Sequence, residues 1–175
     1  MTERRPLPID PIGEARRQWQ AHGWDEAAPA MAVVTSIMRL QQIYLAQADT
    51  ILRPMGLTFA RYEVLMLLSF SRSGQLPLGK IGERLQVHAA SVTNAVDRLE
   101  DQGLVTREPN PDDGRGTLAA LTAAGRQLAH RATAVMNDGL FAQVGLSREE
   151  LDHLFASLGE LRRGAGDFAQ VLDIV

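Results

Sequence analysis

The amino-acid sequence predicts a mainly α-helical protein with one small β-hairpin. Apolar residues recur at helical spacing along most of the chain, and stretches that contain Gly and Pro separate the helical segments. Two short segments with alternating apolar residues flank a turn-rich stretch, which is the pattern of a hairpin. The chain has 175 residues, of which 45% are apolar, and this suffices for one domain with a core and additional helical arms.

The sequence of the N-terminal third of the chain predicts two helices. Residues 12–24 form a short helix that carries both tryptophans, and residues 30–52 form a long one that Pro54 and Gly56 end. Two adjacent apolar stripes on the long helix indicate burial against its own domain on one side and against a second chain on the other. The stripes contain Val33, Ile37, Leu40, Tyr44 and Ile51, and Val34, Met38, Leu45 and Leu52.

The sequence of the middle of the chain predicts three shorter helices. Thr58 is the N-cap of a helix that extends through Phe70, and the sequence SRSGQLP then interrupts the helical pattern. Helices over residues 78–85 and 89–102 follow, and Gly103 ends the second of them.

A β-hairpin and two further helices complete the predicted elements. Residues 104–108 and 117–121 form the strands of the hairpin, and Thr122 caps the helix that follows. Ser147 and Glu150 form a capping box at the start of the last helix. The apolar stripe of that helix indicates a dimer or core seam.

Two helices joined by a few residues and followed at once by a hairpin have the plan of a winged helix-turn-helix. Its predicted buried set is Leu78, Ile81, Leu85, Val87, Val92, Val96, Leu99 and Leu104. The opposite face of the 89–102 helix carries small and polar residues in its first turns, with Asp97 and Asp101 nearer its end. Such a face suits the close approach of a recognition helix to base edges.

Six residues at the start of this helix are candidate DNA contacts: His88, Ala90, Ser91, Thr93, Asn94 and Arg98. Asn94 can pair with an adenine edge, Thr93 can touch a thymine methyl, and Arg98 suits a phosphate or a guanine. His88 is a poor N-cap and a candidate phosphate contact, although a plain turn residue is the alternative. The alternative for the whole set is the solvated polar face of an ordinary amphipathic helix.

The hairpin turn NPDDGRG carries a single arginine, Arg115. A wing beside a major-groove helix reaches the neighbouring minor groove, where narrow A·T-rich segments favour an inserted guanidinium. Pro109 and Pro111 limit the approach to the turn, and Gly114 and Gly116 leave space on both sides of the arginine. We therefore predict that Arg115 contacts DNA. The alternative is a solvated turn in which Arg115 pairs with neighbouring carboxylates.

The segment LQVHAASVTNAVDRLEDQGLVTREPNPDDGRGTLAALTAAG resembles the MarR family of bacterial transcriptional regulators. In that family an Asp, an Arg and an apolar stretch ending in Leu-Thr-x-x-Gly mark the wing and the start of the next helix. The matching residues here are Asp112 or Asp113, Arg115, Leu121, Thr122 and Gly125. The resemblance extends from about Val33 to the end of the chain. It implies a homodimer that binds double-stranded DNA and represses genes until a small ligand binds.

The resemblance also implies a division of the chain into four parts. Residues 1–29 are an N-terminal extension with a short helix, and residues 30–56 are a dimerisation helix. Residues 57–122 are the winged helix-turn-helix DNA-binding domain, and residues 123–175 contain the C-terminal dimerisation helices. In the family, the N- and C-terminal helices of two protomers interleave.

A ligand pocket is implied where the dimer helices of the family meet the DNA-binding lobe. Candidate residues for a small aromatic or anionic ligand are Arg39, Arg61 and Tyr62, with Trp19 or Trp24 if the N-terminal helix folds over. The alternative for the aromatic residues is core packing, and Arg61 has the alternative of pairing with a carboxylate. Glu63 and Ala95 stand where urate-sensing members have Asp and Arg, which argues against urate as the ligand.

The composition excludes several classes of protein. The chain has no cysteine, so disulfides, thiolate metal sites and cysteine nucleophiles are excluded. Its four histidines are scattered without the spacing of a helical metal pair, and we expect neither a metal nor a cofactor. We find no apolar run of about eighteen residues and no secretory signal, and we therefore expect a cytoplasmic protein without a membrane contact.

The formal net charge of −3 by itself argues against a nucleic-acid binder, but a dimer with basic contact points and acidic arms would still bind DNA. No nucleophile, base and orienting group stand in a recognisable arrangement, so we expect no enzyme. The competing interpretation is a winged-helix module that binds protein or only dimerises. Such a module would expose large apolar residues in the first turns of the 89–102 helix, where this sequence has Ala, Ser, Thr and Asn.

Overall fold

A computed structural model describes residues 6–111, 113 and 116–169, and in this part of the chain the fold is mostly helical with one small sheet. The predicted fold class is therefore confirmed. The elements are α1 (Pro11–Ala21), α2 (Ala28–Leu52), α3 (Phe59–Phe70), β1 (Gln75–Pro77), α4 (Leu78–Leu85), α5 (Ala89–Asp101), β2 (Val105–Pro109), β3 (Thr117–Leu121), α6 (Ala123–Gly139) and α7 (Arg148–Gly164). Two compact units are present, the first ending at Leu140 and the second beginning at Phe141. No helix in the described ranges is long and apolar enough to cross a membrane.

Helix α1 is shorter than predicted, because it ends at Ala21 and leaves Trp24 outside the helix. It begins at Pro11, and the backbone N–H of Ile12 donates to the Asp10 carboxylate at 3.0 Å, as expected for an N-cap. Trp24 lies after a turn and packs edge-to-face against Trp19, with ring centroids 5.1 Å apart. The prediction that one helix carries both tryptophans was wrong, because a turn with Gly23 at φ +81° follows α1.

Helix α2 spans Ala28–Leu52, and a short 3-10 turn then leads to Gly56 at φ +70°, where the chain reverses. Only its two ends are deeply buried, at Ala28 in the first turn and at Ala48 and Leu52 near the C-terminal end. The two predicted apolar stripes remain largely uncovered within the chain. Their exposed members are Val33, Val34, Ile37, Met38, Leu40, Tyr44 and Leu45.

Helix α3 begins after the predicted N-cap, since the Thr58 hydroxyl accepts the backbone N–H of Arg61 at 3.4 Å. It lies at the centre of the first unit and packs against α5 and α6. The hydroxyls of Tyr62 and Thr133 are 3.1 Å apart and tie α3 to α6. The predicted buried set belongs to this core or packs against it, except for Val87, which is 44% exposed. Val87 follows Gln86 at φ +54°, which ends α4 and turns the next residue to the surface.

The sheet has three antiparallel strands in the order β1-β3-β2. The hairpin of β2 and β3 is confirmed, with β2 shifted by one residue from the predicted strand and Val105 paired with Leu121. The strand β1 was missed, because the sequence predicted only an interruption there. Its three residues pair with the outer side of β3, and an edge strand that short carries no alternating pattern and tolerates Pro77.

The junction between the wing and α6 explains the glycine of the Leu-Thr-x-x-Gly motif. The Thr122 hydroxyl accepts the Gly125 N–H at 2.9 Å and caps α6, as predicted. A Cβ at Gly125 would lie 2.0 Å from the backbone oxygen of Leu104 and 2.8 Å from Cδ1 of Leu121. Only glycine therefore permits α6 to approach the start of β2 this closely.

The second unit contains α7, which begins with the predicted capping box. The Ser147 hydroxyl and backbone exchange hydrogen bonds with Glu150, and these hydrogen bonds lower the pKa of the Glu150 carboxyl. The apolar stripe of α7 is largely exposed within its own unit, with Phe155 74% exposed. Leu151, Leu154 and Leu161 are also exposed.

Candidate nucleic-acid interface

Helix α5 has one buried and one exposed face. Val92, Val96 and Leu99 are buried in the core of the first unit, each with at most 2% of its surface exposed. The residues between them face outward because the side chains of a helix repeat every three to four positions. The structure thus brings the six candidate DNA contacts together on the first three turns. His88, Ala90, Ser91, Thr93, Asn94 and Arg98 are all exposed.

Interactions within α5 leave the side chains of Thr93, His88 and Arg98 largely available for other partners. The Thr93 hydroxyl donates to the Ala89 carbonyl at 3.0 Å, which orients its methyl group and leaves oxygen lone pairs free to accept. His88 occupies the N-cap position, as expected, and makes no side-chain capping hydrogen bond. Arg98 and Asp101 approach to 3.9 Å, and both are so exposed that this pair contributes little to stability. Arg98 is therefore available to an external anion.

A cleft of about 620 Å³ lies beside the recognition face, between the start of α3 and α5. It is lined by Thr58, Ala60, Arg61, Ala90, Ser91, Asn94, Ala95 and Arg98. The half-buried Arg61 donates from Nε to the Thr58 hydroxyl at 3.2 Å, which orients its guanidinium. Two guanidinium groups, those of Arg61 and Arg98, therefore face one cleft at the proposed recognition helix. Sequence reasoning had assigned Arg61 to the ligand pocket instead.

Arg107 in β2 connects the wing to α5 and is the main residue that sequence reasoning missed. Its guanidinium binds the carboxylates of Asp97 and Glu100 and approaches the Thr93 carbonyl at 3.4 Å. Partial burial lowers the pKa of Arg107, but the hydrogen bonds and charges of both carboxylates outweigh this and raise it. The sequence shows only that Asp97 and Glu100 are three residues apart on one helix face; it does not show that Arg107 lies beside them.

The predicted contact Arg115 lies outside the described residues, together with Asp112 and Gly114. The two sides of the turn meet where the Asn110 N–H donates to the Gly116 carbonyl at 3.0 Å. The role of Arg115 stays a prediction.

The five candidate ligand residues do not form one site within the chain. Tyr62 is buried, with its hydroxyl directed to Thr133, and Arg61 lines the cleft at α5. Arg39 lines a separate groove between α1 and α2, and Trp19, in the last turns of α1, packs on Trp24, which follows the helix. Among the described residues, no group of three or more His, Asp or Glu side chains is arranged to hold a metal ion.

Comparisons with known proteins agree with this architecture. The family model of the MarR family matches residues 57–117, which contain α3, β1, α4, α5 and β2 and end at the first residue of β3. Sco5413 of Streptomyces coelicolor, a MarR family transcriptional regulator of known structure, is 52% identical to this chain, with a TM-score of 0.74. That similarity covers 81% of this chain and 99% of Sco5413.

Two further relatives carry information on function. The HTH-type transcriptional repressor Rv2887 of Mycobacterium tuberculosis is 32% identical over 100 residues, which are 57% of this chain and 70% of Rv2887. Sco3205, a MarR family transcriptional regulator of Streptomyces coelicolor solved in complex with DNA, is 26% identical, with a TM-score of 0.64. That similarity covers 81% of this chain and 88% of Sco3205. With its exposed polar recognition face, its wing and this similarity over nearly the whole length of Sco5413, the chain belongs to the MarR family of transcriptional regulators.

Proposed function

We propose that this protein is a transcriptional repressor that binds a pseudo-palindromic operator as a homodimer and responds to a small ligand. The observation that carries the proposal is the outward face of α5, where small and polar side chains occupy the first turns above a fully buried apolar face. A helix of this kind enters the major groove with its N-terminal residues at the base edges. Because the proposed partner is chromosomal DNA, the proposal includes a cytoplasmic location.

The proposed contacts divide into base readout and backbone positioning. Asn94 and Thr93 face the base edges, because a carboxamide pairs with adenine and a methyl group packs on thymine. Arg98 and His88 flank them and suit phosphates, which fix the register of the protein on the duplex. Arg61 joins this group, since its guanidinium faces the same cleft as that of Arg98. Ala90 and Ser91 are small enough to permit close approach.

A second protomer accounts for the exposed apolar surface of α2. Val34 is 50% exposed and Met38 is 61% exposed, and with the other exposed residues of the two stripes they form an uncovered apolar face on α2, as expected for a protein interface. Residues 30–56 and 123–175 are the proposed dimerisation segments, and residues 57–122 are the proposed DNA-binding domain. A two-fold dimer presents two copies of α5 to successive major grooves, about 10 base pairs apart.

The response to a ligand is the part of the proposal that depends most on the family. Trp19 and Trp24 belong to the proposed N-terminal extension, and Arg39 belongs to α2, the proposed dimerisation helix. They remain candidates for contact with an aromatic or anionic ligand. The dimer can differ in the spacing of its two recognition helices. A ligand changes operator affinity only if it binds more tightly to the dimer with one spacing than to the dimer with the other.

A genome-wide binding footprint tests the proposal. We expect protected sites with a two-fold repeat whose half-sites are about one helical turn apart. Footprints without such a repeat, or no sequence-specific protection, would contradict it and favour a module that binds protein. The first turns of α5 argue against such a module, because none of the residues 88–94 is an exposed large apolar residue.

A further inference from the structure

A small groove lies between α4 and the start of α5, next to the six candidate DNA contacts. Its volume is about 250 Å³, below the roughly 300 Å³ at which small-molecule pockets usually begin. The groove therefore suits one small chemical group better than a whole ligand. Of the seven described residues that line it, six carry no charge: Leu78, Gly79, Gly82, Val87, Ala89 and Thr93.

Val87 is the exposed apolar side chain of this α4–α5 groove. It is 44% exposed, although the sequence pattern predicted a buried residue. The backbone holds it there, because the Val87 N–H donates to the Gly82 carbonyl at 3.1 Å and Gln86 before it has φ +54°. A valine that the backbone fixes at the surface gains little from core packing, and it is available to an external apolar group.

Two glycines of α4 shape the groove. A Cβ at Gly82 would lie 3.3 Å from the Val87 carbonyl oxygen and 3.5 Å from Cγ2 of Val92, so glycine lets the turn after α4 approach the helix closely. A Cβ at Gly79 would meet no described atom within 4 Å outside the local helix backbone. The missing side chain at Gly79 therefore leaves the groove open to the exterior.

The groove is continuous with the proposed recognition face. Ala89 and Thr93 line it, and both are also exposed on the first turns of α5. The Thr93 hydroxyl donates to the Ala89 carbonyl at 3.0 Å, which fixes the rotamer of this β-branched side chain and hence the position of its methyl group. The apolar groups of Val87, Ala89 and Thr93 thus line one groove at the end of α5 that enters the major groove in the proposed complex.

The charge of the groove is compatible with DNA. Glu83 is the one charged residue among the described lining residues, and its carboxylate lies 3.5 Å from the Lys80 ammonium. Both side chains are exposed, so the pair contributes little to stability. The ammonium nevertheless reduces the repulsion between this carboxylate and a phosphate.

We propose that the α4–α5 groove reads one thymine in each half-site of the operator by holding its methyl group. Among the four bases of unmodified DNA, only thymine presents a methyl group in the major groove, and apolar contact with it distinguishes thymine from the other bases. Val87 and Thr93 contact the methyl group, and Gly79 leaves room for the base edge. The inference rests on the proposed operator binding and adds Val87 as a specificity-determining residue outside the recognition helix.

Replacement of single thymines by deoxyuridine tests the groove, because this change removes only the methyl group and keeps the base pair. Each thymine of the footprinted operator is replaced in turn, and fluorescence anisotropy measures the affinity of the full chain. We expect one position per half-site at which the wild type binds deoxyuridine DNA about fourfold more weakly, the factor that burial of one methyl group contributes. Replacement in both half-sites at once should weaken binding by more than about tenfold.

Variants of the groove should remove this discrimination. At the sensitive position, Val87→Ala and Thr93→Ser should bind thymine and deoxyuridine DNA almost equally, since each variant removes apolar surface from the groove. Asn94→Ala is the matched control on α5, because it should weaken binding to both DNAs and keep the fourfold ratio. A merely structural effect of Val87→Ala would likewise lower both affinities by the same factor and keep the ratio.

Three results would overturn the inference: no thymine whose replacement weakens wild-type binding, a ratio that Val87→Ala leaves unchanged, or a ratio that only Thr93→Ser changes. The last result would mean that Thr93 reads the methyl group without the groove. In all three cases the wild type still binds its operator, so the proposed function stands. Absence of sequence-specific binding by the wild type would instead overturn the proposed function, and this inference with it.

Discussion

Arg107 and Glu100 are joined twice, once through the backbone and once through the side chain. The backbone N–H of Arg107 donates to one carboxylate oxygen of Glu100 at 3.1 Å, and the guanidinium donates to the other. A strand of the wing is thereby fixed to the proposed recognition helix at a residue that faces away from the core. Major-groove and minor-groove contacts can then form together, because their separation is set before DNA binds.

Removal of this connection should weaken operator binding. Arg107→Ala leaves Asp97 and Glu100 without their cation near the DNA surface, where two free carboxylates repel phosphates. We expect at least a tenfold loss of operator affinity, about 1.4 kcal/mol. Glu100→Gln in the Arg107→Ala background should restore part of it, which fluorescence anisotropy measures. Additive effects in this double-mutant cycle would show that the two residues act separately.

Asn94 should discriminate between sequences. Asn94→Ala removes a carboxamide from the exposed face of α5 and should cost about 1 to 3 kcal/mol on the cognate operator. Binding to unrelated DNA should change little, since that binding depends on phosphate contacts. Competition assays with both DNAs measure the ratio. An equal loss on the two DNAs would assign Asn94 to the DNA backbone.

Arg115 should contribute to affinity without contributing to the fold. Arg115→Ala is expected to weaken operator binding at least tenfold, about 1.4 kcal/mol, with dimerisation and melting temperature nearly unchanged. The physical reason is the loss of a guanidinium from a narrow minor groove. Arg131→Ala, which removes an exposed arginine from α6, serves as the charge control. Unaltered operator affinity in a folded Arg115→Ala protein would identify the segment as a turn only.

The exposed stripe of α2 should be needed for a folded dimer. Val34→Glu introduces a charge into the apolar surface of α2 and should abolish the dimer or unfold the protein. Gln41→Glu adds the same charge at an exposed polar position of the same helix and should leave the dimer intact. Sedimentation velocity and circular dichroism report the two properties. A wild-type chain that stays a well-folded monomer at micromolar concentration would contradict the dimer.

Glu63 should make stability depend on pH. Burial raises the pKa of its carboxyl, so the folded state holds the proton more tightly than the unfolded state. The Glu63 contribution to stability therefore falls as the pH rises from the ordinary Glu pKa through the raised one. We expect Glu63→Gln to melt at a higher temperature than wild type at pH 7, with a gap that closes as the pH falls. Glu14→Gln is the control, because hydrogen bonds from Gln18 and Arg17 lower the pKa of Glu14. Its effect on stability should therefore change with pH in the opposite direction to that of Glu63→Gln.

Local signals accounted for most of the elements. Thr58, Thr122 and Ser147 each cap the helix that the sequence predicted, because a capping hydroxyl acts on the next three residues and needs no tertiary contact. The face of α5 followed from helical periodicity alone. These features depend on residues that are close in the sequence, and they can therefore be predicted from it.

Features that depend on tertiary contacts could not be predicted. The strand β1 exists only because the outer side of β3 is available to pair with it. Arg107 pairs with carboxylates that are seven and ten residues away, across a helix-to-strand turn whose geometry the sequence does not state. Arg61 faces the cleft at α5 because α3 and α5 pack side by side, a contact between helices that are separated by α4 and β1.

Helix α6 extends from the wing junction at Thr122 to Gly139, where a Cβ would be 3.1 Å from Cδ1 of Ile51 in α2. Its 17 residues make a rod about 25 Å long. The close fit at Gly125 fixes one end of this helix to the wing, and the contact at Gly139 fixes the other end to α2, the proposed dimerisation helix. A tilt of α6 by about 5° about its α2 end would move its wing end by about 2 Å over that length. If the wing contacts DNA as proposed, a small change of packing against α2 is therefore enough to shift the wing relative to a groove.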